Sequence, residues 1–179
     1  MYNLVDSVVV GQFVGKEALA AVGSTNILNF LLISLFSGLA LGFTILISQF
    51  FGAKEKDKIK RAVDTAYVVA CIGAAAVTVL GLLLTEPLLS LMNTPAGPTH
   101  EMSGTYLRIL FIGTIGTFGY NLNAGILQGL GDSMSSLRFL AVATVINIVL
   151  DLVFVVVFGW GVAGVAWATV IAQAVSFLL

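Results

Sequence analysis

Two polar residues, Asn147 and Asp151, interrupt an apolar stretch that extends from about Leu137 to Phe158. Because they are four positions apart, a helix places both side chains on one face. A carboxylate near the middle of a membrane span costs about 2.5–3.5 kcal/mol or more, unless it faces a cavity or a partner. The pair therefore predicts a buried site that binds a proton or Na⁺ reversibly, and a structural contact between helices is the alternative.

Further polar side chains occur in other apolar stretches. Asp6 lies in the first stretch, and two buried acids that meet would couple their protonation. Thr169 and Gln173 share one helical face in the last stretch, where they can supply oxygen ligands or hydrogen bonds between helices. The residues expected to line a substrate cleft are Asn26, Ser37, Asn121 and Gln173.

The elements that must position these residues are membrane helices. Of the 179 residues, 59% are hydrophobic and only 9% are charged, whereas a soluble domain has about 25% charged residues. The mean hydropathy is +1.06. The composition therefore predicts an all-α integral membrane protein whose main surroundings are the lipid bilayer.

Glycine, proline and charged residues divide the chain into a partial first helix and five full spans. Fourteen residues, 1–14, would measure about 21 Å, which is short of the roughly 30 Å hydrocarbon core, so we expect a truncated first helix. A connection from Gly15 to Gly23, a charged loop or amphipathic turn over 53–61 and a stop at Glu86-Pro87 are expected. The predicted full spans are 24–50, 62–85, 103–128, 135–158 and 162–179.

The basic residues predict the orientation of the chain. If the spans alternate, loops 53–61 and 129–138 share one side, which holds six Lys and Arg residues against Lys16 in the other loops. Cytoplasmic loops are enriched in such residues. We therefore expect a multi-pass protein of the cytoplasmic (inner) membrane with these two loops in the cytoplasm, and Arg108 near the opposite face.

The inventory of reactive groups argues against an enzyme. The single Cys71 and the single His100 give neither a disulfide within the chain nor a zinc site of the usual ligands. No GxxxxGK[ST] phosphate loop and no set of residues for nucleophilic catalysis occurs. No cofactor and no metal beyond a possible Na⁺ are expected, and no basic patch indicates nucleic acid.

Several motifs resemble the multidrug and toxic compound extrusion (MATE) family from the first residue to the last, in the family's order and spacing. They are Tyr2-Asn-Leu-Val-Asp6, the stretch from Gly15 to Gly23, Ser48-Gln-Phe-Phe-Gly52-Ala-Lys54, Gly125-Ile-Leu-Gln-Gly129-Leu-Gly131-Asp-Ser133, Asn147-Ile-Val-Leu-Asp151 and Gly159-Trp-Gly-Val-Ala-Gly164-Val-Ala-Trp-Ala-Thr169.

The resemblance implies one six-helix lobe of a twelve-helix transporter, with substrate held between two lobes. It also implies export of cationic or amphipathic organic molecules in exchange for H⁺ or Na⁺. By matching motif position, the cation site of many prokaryotic members becomes Asp6, Asn147, Asp151 and Thr169 in this sequence.

The sequence departs from the family plan because a second lobe is absent, as are the first turns of helix 1. We therefore expect a fragment of a longer transporter or a truncated gene product, whose partner is the missing lobe of the same parent chain. A homodimer is the alternative, since the lobes of such transporters are related as repeats. Other functions left open are a lipid-linked oligosaccharide flippase of the same superfamily and a structural membrane protein without transport.

Overall fold

All regular elements in the part of the chain that the structure describes are helices. The structure is a computed structural model that describes residues 2–178, with side chains from residue 5 onward. The helices are α1 (Tyr2–Phe13), α2 (Lys16–Gly52), α3 (Lys56–Leu91), α4 (Pro98–Ile112), α5 (Thr114–Gly129), α6 (Ser133–Leu152), a π-helical turn (Val153–Val157) and α7 (Gly161–Leu178).

Helix length and hydropathy agree with a membrane bundle. Within residues 2–178, four helices are long and apolar enough to cross a membrane, namely α2, α3, α6 with its π turn, and α7. The count is five if α4 and α5 are taken as one bent span. At 12 residues, α1 is shorter than a span. The first and last predicted spans also include residues 1 and 179, which lie outside the described range.

The predicted bounds of the first two full spans were too short. Helix α2 begins at Lys16 instead of residue 24, because only Val14 and Gly15, the latter with φ +122°, separate it from α1. Helix α3 begins at Lys56 instead of residue 62 and continues past Pro87 to Leu91. The prediction placed breaks at glycine, proline and charged residues, whereas the helices continue through Gly23 and Pro87 and include the charged start of α3. The predicted loop over 53–61 is therefore a short turn before Lys56.

The predicted span 103–128 is two helices. Helix α4 starts at Pro98, and α4 and α5 meet at Gly113 with a bend of 52°. At this bend α7 comes so close that a Cβ on Gly113 would lie 2.2 Å from Cγ2 of Val170. The close approach of another helix explains why Gly113 is needed there, and no local sequence pattern reveals it.

Helices α6 and α7 lie side by side and carry the central polar residues. The predicted span 135–158 corresponds to α6 and the π turn Val153–Val157, which begins two residues after Asp151. A tight turn with Gly159 at φ +68° then leads into α7. Turns of π-helix inside α-helices frequently occur at functional sites.

The core is built from small and aromatic side chains where helices cross. Helix α3 buries an alanine at every fourth position from Ala62 to Ala74, which lets its neighbours approach closely. Phe36 of α2 stacks on Phe118 of α5, with ring centroids 4.6 Å apart. A second apolar cluster, which includes Val10 of α1, surrounds the polar site described next.

Candidate functional site

Asp6 on α1 is fully buried where α1, α4, α6 and α7 meet. Its exposed fraction is 0%, although it carries a carboxyl group. The Thr169 hydroxyl donates to Oδ2 of Asp6 over 3.2 Å. The Tyr106 hydroxyl donates to the same oxygen over 3.4 Å. Both donors are uncharged, so the carboxyl group is solvated by hydroxyl dipoles.

Asn147 on α6 extends this hydrogen-bonded chain. Its side-chain amide donates to the Thr169 hydroxyl over 3.1 Å, and this hydroxyl in turn donates its proton to Asp6. A hydroxyl has one proton to donate and can accept as well, so Thr169 links an amide to a carboxylate. The carbonyl oxygen of Asn147 is buried and has no hydrogen-bond partner among the described residues.

Asp151 completes the group one helical turn beyond Asn147. Its exposed fraction is 0%, and its carboxyl group lies beside that of Asp6. With both acids ionised, neither Asp151 oxygen has a donor among the described residues, whereas a proton on either acid would join Asp151 to Asp6 by a hydrogen bond. We call Asp6, Tyr106, Asn147, Asp151 and Thr169 the acidic cluster.

The acidic cluster has the electrostatic character of a cation site. The ion pairs that the structure shows involve Glu55 and Glu86, and none reaches Asp6 or Asp151 in the described part of the chain. Two carboxyl groups withdrawn from water need a compensating proton or cation. Three buried acceptor oxygens without partners, two on Asp151 and one on Asn147, are available to such an ion. Hard cations prefer oxygen ligands of this kind.

The acidic cluster differs from a conventional metal centre in its ligands. No group of three or more His, Cys, Asp and Glu side chains that could hold a metal ion occurs within residues 2–178. The cluster has two acids only, and its other members are a hydroxyl, a phenol and an amide. This ligand set fits a monovalent cation or a proton better than a multivalent transition metal.

Sequence analysis missed Tyr106. It lies on α4 at 0% exposure and donates to Asp6, but in the sequence it is one aromatic residue in an apolar stretch. A buried tyrosine hydroxyl usually has a hydrogen-bond partner. That rule makes each tyrosine in a span a candidate, but it does not say which acid the hydroxyl meets.

Of the four residues predicted for a substrate cleft, three lie along one hydrogen-bonded path through Thr117, and Asn26 lies apart from them. Ser37 of α2 donates to Oδ1 of Asn121 on α5 over 3.3 Å. Gln173 of α7 instead accepts from the Thr117 hydroxyl on α5. Asn26 lies elsewhere on α2, and its buried carbonyl oxygen has no partner in the range that the structure describes.

A polar groove of about 190 Å³ lies between α2 and α5. We call its four polar lining residues, Ser37, Thr44, Asn121 and Gln128, the polar seam. Asn121 also donates to the Thr117 carbonyl oxygen over 2.7 Å, and Gln128 donates to Ser136 over 3.2 Å. Through Thr117 and Gln173 the seam reaches α7 one turn from Thr169, and therefore approaches the acidic cluster.

Comparison with known proteins identifies the family of this fold and site. The family model described as MatE matches residues 1–153, which is most of the chain. This chain belongs to the MatE family. Asp6, Asn147 and Asp151 lie inside the matched range, and Thr169 lies beyond it.

Two relatives from Bacillus subtilis (strain 168) match nearly the whole length of this chain. "Probable multidrug resistance protein YpnP" is 39% identical over 182 residues, which covers 99% of this chain and 40% of that protein. "Probable multidrug resistance protein YoeA" is 39% identical over 181 residues, which covers 99% of this chain and 39% of that protein. This chain therefore spans about two fifths of the length of these relatives.

Solved structures of MATE transporters also match nearly all of this chain with about two fifths of their own length. A MATE crystal structure in the bent conformation superposes with a TM-score of 0.94 at 30% identity, covering 99% of this chain and 39% of that one. An inward-facing multidrug resistance MATE family transporter of the MOP superfamily also gives 0.94 at 30% identity, covering 99% and 40%. The chain therefore has the fold of one lobe of such a transporter, and it is a multi-pass membrane protein.

Proposed function

We propose that this chain is the cation-binding lobe of an antiporter that exports organic cations, as drugs or metabolites, in exchange for H⁺ or Na⁺. The observation that supports this most directly is Asp151. Its carboxyl group is fully buried beside a second acid, and neither of its oxygens has a protein donor in the described residues. The ligand set is then Asp6, Asn147, Asp151 and Thr169, with Tyr106 as a donor to Asp6.

A structural role predicts a different environment for Asp151. A buried acid that only joins helices should be paired with donors, since an unpaired buried charge destabilises the fold. Asp6 meets this description because two hydroxyls donate to it. Asp151 has no hydroxyl or amide donor among the described residues, so its oxygens can be satisfied by a proton shared with Asp6 or by a bound Na⁺.

Exchange of the ion for the substrate would follow from two states of the acidic cluster, one with the ion bound and one without it. A bound proton or Na⁺ compensates the repulsion between Asp6 and Asp151 and favours packing of α1 against α6 and α7. Loss of the ion restores the repulsion and favours a separated or hydrated arrangement. A ligand shifts such an equilibrium only by its different affinity for the two states, and these two states differ in that way.

The charges on the described residues favour cationic substrates. Arg108 is the only basic residue within the apolar part of α4 and α5, and its guanidinium is paired with Glu86 over 2.6 Å at the exposed end of the bundle. An anionic pyrophosphate group, as in a lipid-linked oligosaccharide, would need free cations in the cleft. The acids of the cluster have none beside them in the described range, so organic cations are the better match.

Orientation and the rest of the transporter are part of the same proposal. The basic residues at the start of α3 and Arg138 in the first turns of α6 support an orientation with these helix ends in the cytoplasm, and we propose the cytoplasmic membrane as the location. The second half of the substrate cleft comes from a further lobe, and the greater length of the relatives supports a lobe of the same parent chain over a homodimer. The relatives are described as multidrug resistance proteins, which supports transport over an enzymatic reaction.

The test is ion-coupled transport by the full-length protein in liposomes. Uptake of ²²Na⁺ and of protons is measured against export of a cationic dye for wild type and for Asp151→Asn, which keeps the side-chain volume. The matched control is Asp64→Asn, because Asp64 is an exposed acid on α3, outside the cluster. We expect Asp151→Asn to abolish ion-coupled export and Asp64→Asn to leave it intact.

Two results would overturn the proposal. The first is unchanged coupling in Asp151→Asn protein, which would make Asp151 a structural residue and move the ion site elsewhere. The second is equal loss in both variants, since this would show that any lost acid disturbs transport. Size-exclusion chromatography of each variant shows whether the protein is folded before transport is compared.

A further inference from the structure

A groove of about 350 Å³ lies between α2 and α3 near the turn that joins them, far from the acidic cluster. Helix α2 contributes Phe43, Leu46 and Phe50 to its walls. Helix α3 contributes Lys58, Arg61, Ala62 and Thr65. The groove therefore combines an apolar floor with two cations.

The cationic and the apolar side chains that line the groove differ in their depth along the helices. Lys58 and Phe50 are close to the turn, and the Lys58 ammonium is 5.7 Å from the centroid of the Phe50 ring. Arg61 lies about one turn further along α3. Phe43 is two turns from Phe50 on α2, or about 10 Å deeper into the apolar zone. A ligand in this groove would meet cations at the membrane surface and hydrocarbon below.

The acidic residues nearby do not neutralise the groove. Glu55 pairs with Lys58 over 2.7 Å, but both side chains are about half exposed, and exposed pairs of this kind contribute little. An ammonium has three donors, so Lys58 can bind a second anion. Asp57 and Asp64 are not among the lining residues, and no ion pair of Arg61 is found in the part of the chain described.

We infer that this groove binds an anionic phospholipid, with the phosphate at Lys58 and Arg61 and an acyl chain along Phe43 and Leu46. The charge of the lining is complementary to a phosphodiester, and Arg61 can bind it through two parallel hydrogen bonds. Basic pockets between membrane helices on the cytoplasmic side are suited to anionic headgroups. The inference goes beyond the proposed transport function and does not depend on the acidic cluster.

A lipid fits better than a free phosphate ion. Three of the seven lining side chains are large and apolar, and two of them, Phe43 and Leu46, lie further along α2 from the turn than Phe50. A free anion would leave this surface unused, while an acyl chain covers it. Phosphatidylglycerol is the simplest probe, because it has one negative charge and no other ionic group.

The experiment is native mass spectrometry of the full-length protein. Protein in detergent is mixed with equal amounts of phosphatidylglycerol and phosphatidylcholine, and bound lipids are counted for wild type and for Lys58→Gln/Arg61→Gln. The matched control is Lys54→Gln/Lys60→Gln, which removes the same charge from the same segment but outside the groove. Each basic contact with anionic lipid is worth about fivefold in affinity, so we expect the groove variant to lose about 25-fold.

A third variant tests the opposite direction. Glu55→Gln removes the only carboxylate that pairs with Lys58 in the described structure, and because that pair is half exposed, retention of phosphatidylglycerol should increase by about twofold at most. Inorganic phosphate at equal concentration should not displace the lipid. If it does, the groove binds a free anion and the lipid inference is wrong.

Two further results of the lipid-binding experiment would contradict the inferred lipid site. Equal loss in the groove and control variants would show that the segment attracts anionic lipid only through its total charge. Equal retention in all variants would show no anionic site at all. Either result overturns the inference, while preserved dye export in the groove variant would leave the proposed transport function unaffected.

Discussion

The acidic cluster and the polar seam both gather polar side chains between helices, yet only the cluster contains acids, and it is buried whereas Ser37 and Gln128 of the seam are exposed. Each seam residue has a hydrogen-bond partner in the described structure, such as the Ala40 carbonyl oxygen for Thr44. In the acidic cluster both Asp151 oxygens and one Asn147 oxygen have none there. The comparison teaches that unsatisfied buried oxygens support the proposed ion site only where they belong to acids that lie together, since the buried carbonyl oxygen of Asn26 also lacks a partner in the described residues.

The largest expected effect separates the two regions directly. Asp6→Asn should weaken H⁺ or Na⁺ binding by about a hundredfold, because it removes one of two charges that a cation compensates. Asn121→Ala in the seam should change ion binding by less than about twofold, because its contacts are already satisfied within the protein. Isothermal titration calorimetry of the full-length protein measures both. Equal losses would mean that the two regions form one site.

The second effect concerns the backbone contact beside the seam. A Cβ on Gly129 would lie 2.9 Å from the Thr44 carbonyl oxygen, so Gly129→Ala should force α2 and α5 apart and cost about 1–3 kcal/mol of unfolding free energy. Gly42→Ala is the control, since nothing lies within 4 Å of its added carbon. Unfolding by denaturing detergent gives both values. A larger cost for Gly42→Ala would contradict the helix packing described here.

Tyr106→Phe tests the single phenol in the acidic cluster. The change removes one donor to Asp6 and keeps the ring that packs in the core, so ion-coupled export should slow by about fivefold. Tyr67→Phe is the matched control, because it loses a shorter hydrogen bond, 2.6 Å to Asn123, outside the cluster. Export rates in liposomes distinguish them. The role of Tyr106 is excluded if both variants export at the wild-type rate.

The smallest effect comes from the start of α6, which carries Asn147 and Asp151. Asp132 caps this helix through the Ser135 amide at 3.0 Å, and the Ser135 hydroxyl and amide hold the pKa of Asp132 below its usual value. A lowered pKa in the folded protein stabilises it above the unfolded pKa of about 4, and this contribution is lost as pH falls through the folded value.

Asp132→Ala should therefore lower the melting temperature by about 2 °C at neutral pH, with a smaller difference in acid. Asp132→Asn is the control, because asparagine also caps helices but does not titrate. Thermal unfolding followed by circular dichroism at both pH values measures the change. A difference that stays constant with pH would show that the charge on Asp132 has no part in the cap.

Local sequence predicted the class of the fold and several members of the site. Asp6 and Asp151 were predictable because a carboxylate in an apolar stretch is costly in any arrangement of helices. Helix ends were not predictable from hydropathy, since Lys16 and Lys56 begin helices in polar sequence. The residues proposed for a substrate cleft shared one property, polarity, and polarity does not reveal which helices face each other.

The sequence by itself determined that this protein is an all-α membrane protein with buried acids, because composition and the cost of charge in a membrane act on every residue regardless of its neighbours. Only the tertiary structure decided which groups meet. It placed Tyr106 on Asp6, bent α4 from α5 where Val170 approaches Gly113, and joined Phe43 and Arg61 in one groove. Each of these contacts joins different helices, and the distance between such residues depends on the packing of the whole bundle.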